Sequence, residues 1–96
     1  MVAVRWTDHA WRQLGQLRRT QGQQRRCKAV LKAIGLLVAD PGSNLQVHEF
    51  TSLRGPDGEK VFEAYAEQAT PATYRVFWYK GAPKGQVTVI AITPHP

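Results

Sequence analysis

The C-terminal half of this sequence carries acid, base and cation groups at spacings that strands could bring together. Glu63 and Tyr65 lie in one strand-like segment, Lys60 to Glu67, and Arg75 and Tyr79 in the next, Thr73 to Tyr79. His95 follows a third, Gln86 to Thr93. A carboxylate and an imidazole can take and give protons, and a guanidinium can hold an anion. Such a set suits acid–base chemistry beside a fixed cation. Other chemistries lack their patterns. There is no zinc-ligand spacing, phosphate-binding glycine loop, dinucleotide-binding glycine pattern or Ser/His/Asp order, so no metal and no cofactor are expected.

Whether these groups meet depends on which faces they take. Side chains alternate along a strand. In Thr73–Tyr79, Tyr74, Val76 and Trp78 point one way, and Arg75, Phe77 and Tyr79 the other. Val76 and Trp78 are the simplest core set, which leaves Arg75 on the open face. In the preceding strand Phe62, Ala64 and Ala66 are the apolar set, which sends Glu63, Tyr65 and Glu67 out with Arg75. In the last strand Ile90 and Ile92 read as core. Val87, Val89, Ala91, Thr93 and, by extension, His95 then take the open face. A single extra residue would reverse part of this assignment.

The elements that must position these groups can be read from periodicity and punctuation. Val2, Val4 and Trp6 alternate as a short strand. Thr7 is an N-cap, and Asp8 puts a negative charge in the first turn of a helix reaching about Thr20. Ala10, Trp11, Leu14 and Leu17 form its apolar stripe. After Gly22 a second helix runs from about Gln23 to Ala39, with Cys27, Val30, Leu31, Ile34, Leu37 and Val38 on one face, and Asp40-Pro41-Gly42 stops it. Val47–Leu53 is a strand, and turns at Gly55–Gly58, Thr70-Pro71 and Gly81–Gly85 separate three more. The expected fold is α+β: an N-terminal strand, an antiparallel helix hairpin, then a four-stranded antiparallel meander with both helices on one face.

Size and charge bound the function. Ninety-six residues support one domain (1–96) with a single two-layer core, and an active site on its surface. Hydrophobic residues make up 43%, enough to argue against disorder. No apolar run approaches the length of a membrane span. The N-terminal sequence lacks the basic-then-apolar order of a signal peptide, and Cys27 is the sole cysteine; both favour a cytoplasmic setting. Cys27 falls in the apolar stripe and reads as inert core. Thirteen Lys and Arg against seven Asp and Glu give a net charge of +6. Arg5, Arg12, Arg18, Arg19, Arg25, Arg26, Lys28 and Lys32 crowd the N-terminal third beside a single acid, Asp8. Such a field attracts polyanions: RNA, DNA or an acidic protein.

Four stretches resemble the RelE/ParE superfamily of toxins from type II toxin–antitoxin pairs. They are the entry Val4-Arg5-Trp6-Thr7-Asp8-His9-Ala10, and the helix hairpin ending in Asp40-Pro41 before Leu45 and His48-Glu49-Phe50. The others are the hairpin Val61-Phe62-Glu63-Ala64-Tyr65 with Tyr74-Arg75-Val76-Phe77-Trp78, and the tail Val89-Ile90-Ala91-Ile92-Thr93-Pro94-His95. The resemblance spans essentially the whole chain. It implies a ribosome-dependent, metal-independent mRNA endonuclease. In that chemistry a base deprotonates the ribose 2′-OH, an acid protonates the leaving 5′-oxygen, and a cation stabilises the phosphorane. It also implies a cognate antitoxin as partner, with the ribosome and mRNA as the other two.

By this resemblance Arg75 aligns with the family's phosphate-binding arginine and His95 with its C-terminal general acid. An imidazole with a reference pKa of ~6.5 suits proton transfer at neutral pH. RelE-type nucleases carry two lysines on the strand matching Lys60–Glu67, near Glu63 and Tyr65 here, so the basic pair is lost. Other nuclease members use a glutamate as base, so Glu63 or Glu49 could serve, with His48 or a group of the ribosome as further candidates. Equally, either glutamate could be a structural ion-pair partner, Glu63 of Arg75. Lys60 and Arg54 could supply phosphate contacts from the rim, and Tyr65 and Tyr79 could stack a base. Arg25, Lys28 and Lys32 on the second helix could bind ribosomal RNA phosphates. Two other functions stay open: a ParE-like inhibitor of DNA gyrase, and a degenerate homologue that only binds RNA or antitoxin.

Overall fold

The structure, a computed structural model, describes residues 3–39, 47–66, 73–81 and 86–94. Seven elements follow in order: β1 (Ala3–Trp6), α1 (Asp8–Arg19), α2 (Gln24–Ala39), β2 (Val47–Arg54), β3 (Lys60–Tyr65), β4 (Tyr74–Gly81) and β5 (Gln86–Pro94). Local signals set the boundaries. The Thr7 hydroxyl accepts the Ala10 N–H at 3.1 Å and so caps α1. At the other end the Thr20 N–H returns to the Gln16 carbonyl. Gly22 has φ +84°, a conformation that costs glycine little, and it reverses the chain between the helices. The Gly55–Gly58 turn joining β2 to β3 is closed by Gly58 N–H to the Gly55 carbonyl at 3.0 Å. The Asp40–Gly42 helix stop, Leu45, Glu67, Thr70-Pro71, residues 82–85 and His95 lie outside the described residues.

The sheet order is β1-β5-β4-β3-β2. β2 to β5 pair antiparallel as the expected meander. β1 joins the far edge, parallel to β5, with Val4 opposite Val87 and Trp6 opposite Val89. The sheet is therefore mixed and five-stranded. Both helices pack on one face. Leu14 and Leu17 of α1 and Val30, Ile34 and Leu37 of α2 meet Ala64, Val76, Trp78, Val87, Val89 and Ile92. Cys27 is buried in the same cluster.

Three expectations about faces need correction. The first concerns β5. Phe77 pairs with Ala91 but Trp78 pairs with Val89, so Ile90 is an extra residue on β5. This bulge reverses the alternation. Val87 and Val89 lie in the helix-side core rather than on the open face, and Ile92 joins them only beyond the bulge. The second concerns the helices. Trp11 is 57% exposed and stands edge-on to Trp6 at 5.5 Å, and Leu31 is 40% exposed. Ala33 takes the buried place that Leu31 was expected to fill. The third concerns the face opposite the helices, which is not bare. Val61 and Phe77 are buried there, outside the helix-side cluster. Phe50 meets Phe77 edge-on at 5.0 Å.

Thr7 and α1 bond β5 at and beyond the bulge. Thr7 N–H bonds the Val89 carbonyl at 3.0 Å, and its hydroxyl donates to the Ile90 carbonyl at 3.3 Å. The Gln13 carboxamide oxygen accepts the Ile92 N–H at 2.7 Å. Gln13→Leu leaves that N–H without a partner, which costs about 1–3 kcal/mol. Urea unfolding reads the loss, and amide hydrogen exchange at Ile92 should accelerate in the variant.

Candidate functional site

The centre of the face opposite the helices is an ion pair between neighbouring strands. Tyr65 is directly opposite Arg75, and Glu63 is opposite Phe77. The diagonal between them lets Arg75 Nη1 donate to Glu63 Oε2 at 2.9 Å. Both side chains are nearly buried, at 12% and 13% exposure. Burial makes the geometry count, since charges drawn from water must be well paired. The pair is not saturated: the buried Nε of Arg75 finds no acceptor among the described residues.

Aromatic rings hold the guanidinium. Its carbon lies 4.8 Å from the centre of the Phe77 ring, within reach of a cation–π contact. Phe50 supports Phe77 from β2. His48, opposite Glu63 in the β2–β3 ladder, meets the Tyr65 ring edge-on at 6.3 Å. Thr93 of β5 is opposite Arg75 on the other side. The face thus gathers His48, Phe50, Glu63, Tyr65, Arg75, Phe77 and Thr93 around one cation. Phe50 and Phe77 are the supports that reading for titratable groups overlooks. Their signal is the two-residue step from His48 to Phe50 and from Arg75 to Phe77.

Other candidates are placed elsewhere. Glu49 is opposite Phe62, whose side chain packs on the helix-side core, so Glu49 projects from the other face. Lys60 shares that face and lies 4.0 Å from Glu49 in an exposed ion pair. Arg54, opposite Lys60, is exposed at the end of β2. Tyr79 is on the same face as Arg75 but four residues along β4, roughly 13 Å away. It lines a groove with Asp57, Glu59 and Arg5, a partly acidic setting that a phosphate chain would avoid. Arg25, Lys28 and Lys32 are exposed along one stripe of α2, across the helix layer from Arg75. His95 lies outside the described residues. Among the described residues, no three His, Cys, Asp or Glu side chains converge as a metal site would need.

No protein-family model matches the sequence, and no curated protein matches it. Solved structures do. The chain is similar to a YoeB/ParE toxin from Agrobacterium tumefaciens at a TM-score of 0.72 and 17% identity, covering 98% of this chain and 99% of that one. It is similar to a metal-bound toxin from Helicobacter pylori at a TM-score of 0.72 and 11% identity, covering 99% and 96%. A chain of an archaeal RelE–RelB complex from Pyrococcus horikoshii gives a TM-score of 0.66 at 15% identity, covering 97% and 93%. No helix among the described residues is long and apolar enough to cross a membrane. At these identities the shared property is the fold, and from β1 through β5 it is the fold of the RelE/ParE superfamily toxins.

Proposed function

We propose that the chain is the toxin of a type II toxin–antitoxin pair and a ribosome-dependent mRNA endonuclease acting without a metal. The observation that carries this reading is the nearly buried, ring-supported Arg75–Glu63 pair at the centre of the sheet face opposite the helices. A guanidinium carries five N–H donors, and the bond to Glu63 uses one of them.

The chemistry follows from exchange at that pair. An entering phosphate oxygen takes the guanidinium by charge-assisted hydrogen bonds. Glu63 is displaced from Nη1 but stays beside the phosphate. Its carboxylate then accepts the 2′-OH proton as the 2′-oxygen attacks phosphorus. The P–O5′ bond breaks, and the 5′-oxygen leaves protonated by His95. Arg75 stabilises the charge that develops on the phosphorane. Thr93, two residues before His95 in the sequence, is opposite Arg75. Glu49, held away with Lys60, has no part in this scheme. The RelB of the archaeal complex suggests the partner class, a cognate antitoxin that neutralises the toxin. The α2 cations face away from Arg75 and suit ribosomal RNA phosphates.

Primer extension on a translated message tests the proposal. The expected result is cleavage within codons at the ribosomal A site in cells expressing the chain. Intact messages together with double-strand DNA breaks would overturn it in favour of gyrase poisoning. Intact messages and intact DNA would leave a binding protein only.

A further inference from the structure

A pocket of about 330 Å³, lined by polar groups and by Leu17 and Ile92, opens on the helix side of the sheet, at the same end as Arg75. Gln13, Gln16 and Thr20 of α1 and its cap line it, with Gln23, Tyr74 and Pro94. Tyr74 immediately precedes Arg75 in β4, so pocket and cation lie back to back across one strand. Pro94 is opposite Tyr74 in the ladder, as Thr93 is opposite Arg75. The end of β5 therefore separates two sites that share one edge of the molecule.

We propose that this pocket holds a nucleobase of the single-stranded RNA whose backbone passes Arg75. The inference rests on the endonuclease reading and adds a subsite to it. Three carboxamides point the chemistry toward a base edge. Gln13 commits its oxygen to the Ile92 N–H, and Gln23 commits its oxygen to Arg26 Nη1 at 3.2 Å. Those partners fix the amide orientations, because only the oxygens accept. Both Nε2 groups, and the whole carboxamide of Gln16, form no hydrogen bond among the described residues. Donors and acceptors of this kind read the exposed edges of unstacked bases. Tyr74 supplies the flat wall. Its ring packs against the helix-side core and lies under the Arg26 guanidinium at 4.9 Å, which fixes its orientation.

The charge around the mouth fits a nucleotide rather than a free base. Arg18, Arg19 and Arg25 flank the hairpin tip, are exposed, and form no ion pair among the described residues. Arg18 and Arg19 complement the C-terminal end of the α1 dipole. Arg25 and Arg26 stand in the first turn of α2, which holds no acid. There the dipole disfavours positive charge. Helix stability therefore explains Arg18 and Arg19, and contacts to Gln23 and Tyr74 hold Arg26, but neither explains Arg25. The pocket's size is at the lower end of the small-ligand range, ~300–1,000 Å³, as a single base requires.

Titrating the isotope-labelled protein with the four ribonucleoside 5′-monophosphates, and with ribose 5-phosphate, tests this by NMR. Saturable shifts are expected for at least one nucleotide at the side-chain amides of Gln13, Gln16 and Gln23 and at the Thr20 and Tyr74 backbone amides. Ribose 5-phosphate should not reproduce them. Gln16→Leu with Gln23→Leu should weaken that binding at least about tenfold, the loss of one hydrogen bond or more. Absent shifts, or equal shifts with ribose 5-phosphate, would overturn the base pocket. An unweakened double variant would do the same. Cleavage of mRNA without these shifts removes the pocket and leaves the endonuclease. Shifts without cleavage keep the pocket and remove the endonuclease.

Discussion

Arg75→Ala is expected to lower ribosome-dependent cleavage by about 10²–10³-fold, the usual cost of removing a donor aimed at developing transition-state charge. The same substitution has a second effect that must be separated from the first. It leaves Glu63 nearly buried without its partner, at a cost of about 3–5 kcal/mol. A loss of toxicity in Arg75→Ala alone could then report unfolding. Replacing both members, Arg75→Met with Glu63→Leu, removes the charge pair while keeping volume, and such exchanges are often neutral or stabilising. The double variant should therefore regain the wild-type melting temperature and still fail to cleave. Thermal unfolding and primer extension on the same samples read the two effects. A double variant that folds and cleaves would remove Arg75 and Glu63 from the chemistry.

Trp78→Ala should be the most damaging single change to the fold, at about 3–5 kcal/mol. Trp78 is fully buried at the centre of the sheet, against Phe62 at 5.8 Å and the helix-side cluster. For a domain of this size each kcal/mol shifts the melting temperature by roughly 4–8 °C, so a fall of roughly 15 °C or more is expected. Trp78→Phe should cost much less. The indole N–H is buried without an acceptor among the described residues, and phenylalanine removes that unsatisfied donor while keeping most of the ring. Calorimetry on the two variants checks the order. Equal losses would show that the retained phenyl ring restores nothing and that the complete indole sets the fit at this position.

Element identity was legible because it is written in short-range chemistry. Thr7 caps a helix wherever a helix follows. Gly22 reverses the chain because positive φ costs it little. Alternation on β3 and β4 placed Glu63, Tyr65 and Arg75 on one face, and the ladder between those strands is regular enough to keep them there. The Arg75–Glu63 contact follows from that register alone.

What the sequence could not show depends on groups far apart along the chain. The bulge at Ile90 has no glycine or proline to announce it. Thr7 and Gln13, about eighty residues earlier, hold β5 around it by bonds to the Ile90 carbonyl and the Ile92 N–H. It moves Val87 and Val89 into the core and gives Thr93 its place opposite Arg75. The parallel docking of β1 on β5 is likewise a choice between sheet edges that four residues cannot make locally. The elements, the net charge and the Arg75–Glu63 face are written in local chemistry along the chain. Which candidates share that face, and the placing of Glu49 and Lys60 on the other, come from the pairing of distant strands. Alternation fixes sides within a strand, but only long-range pairing fixes where the alternation breaks.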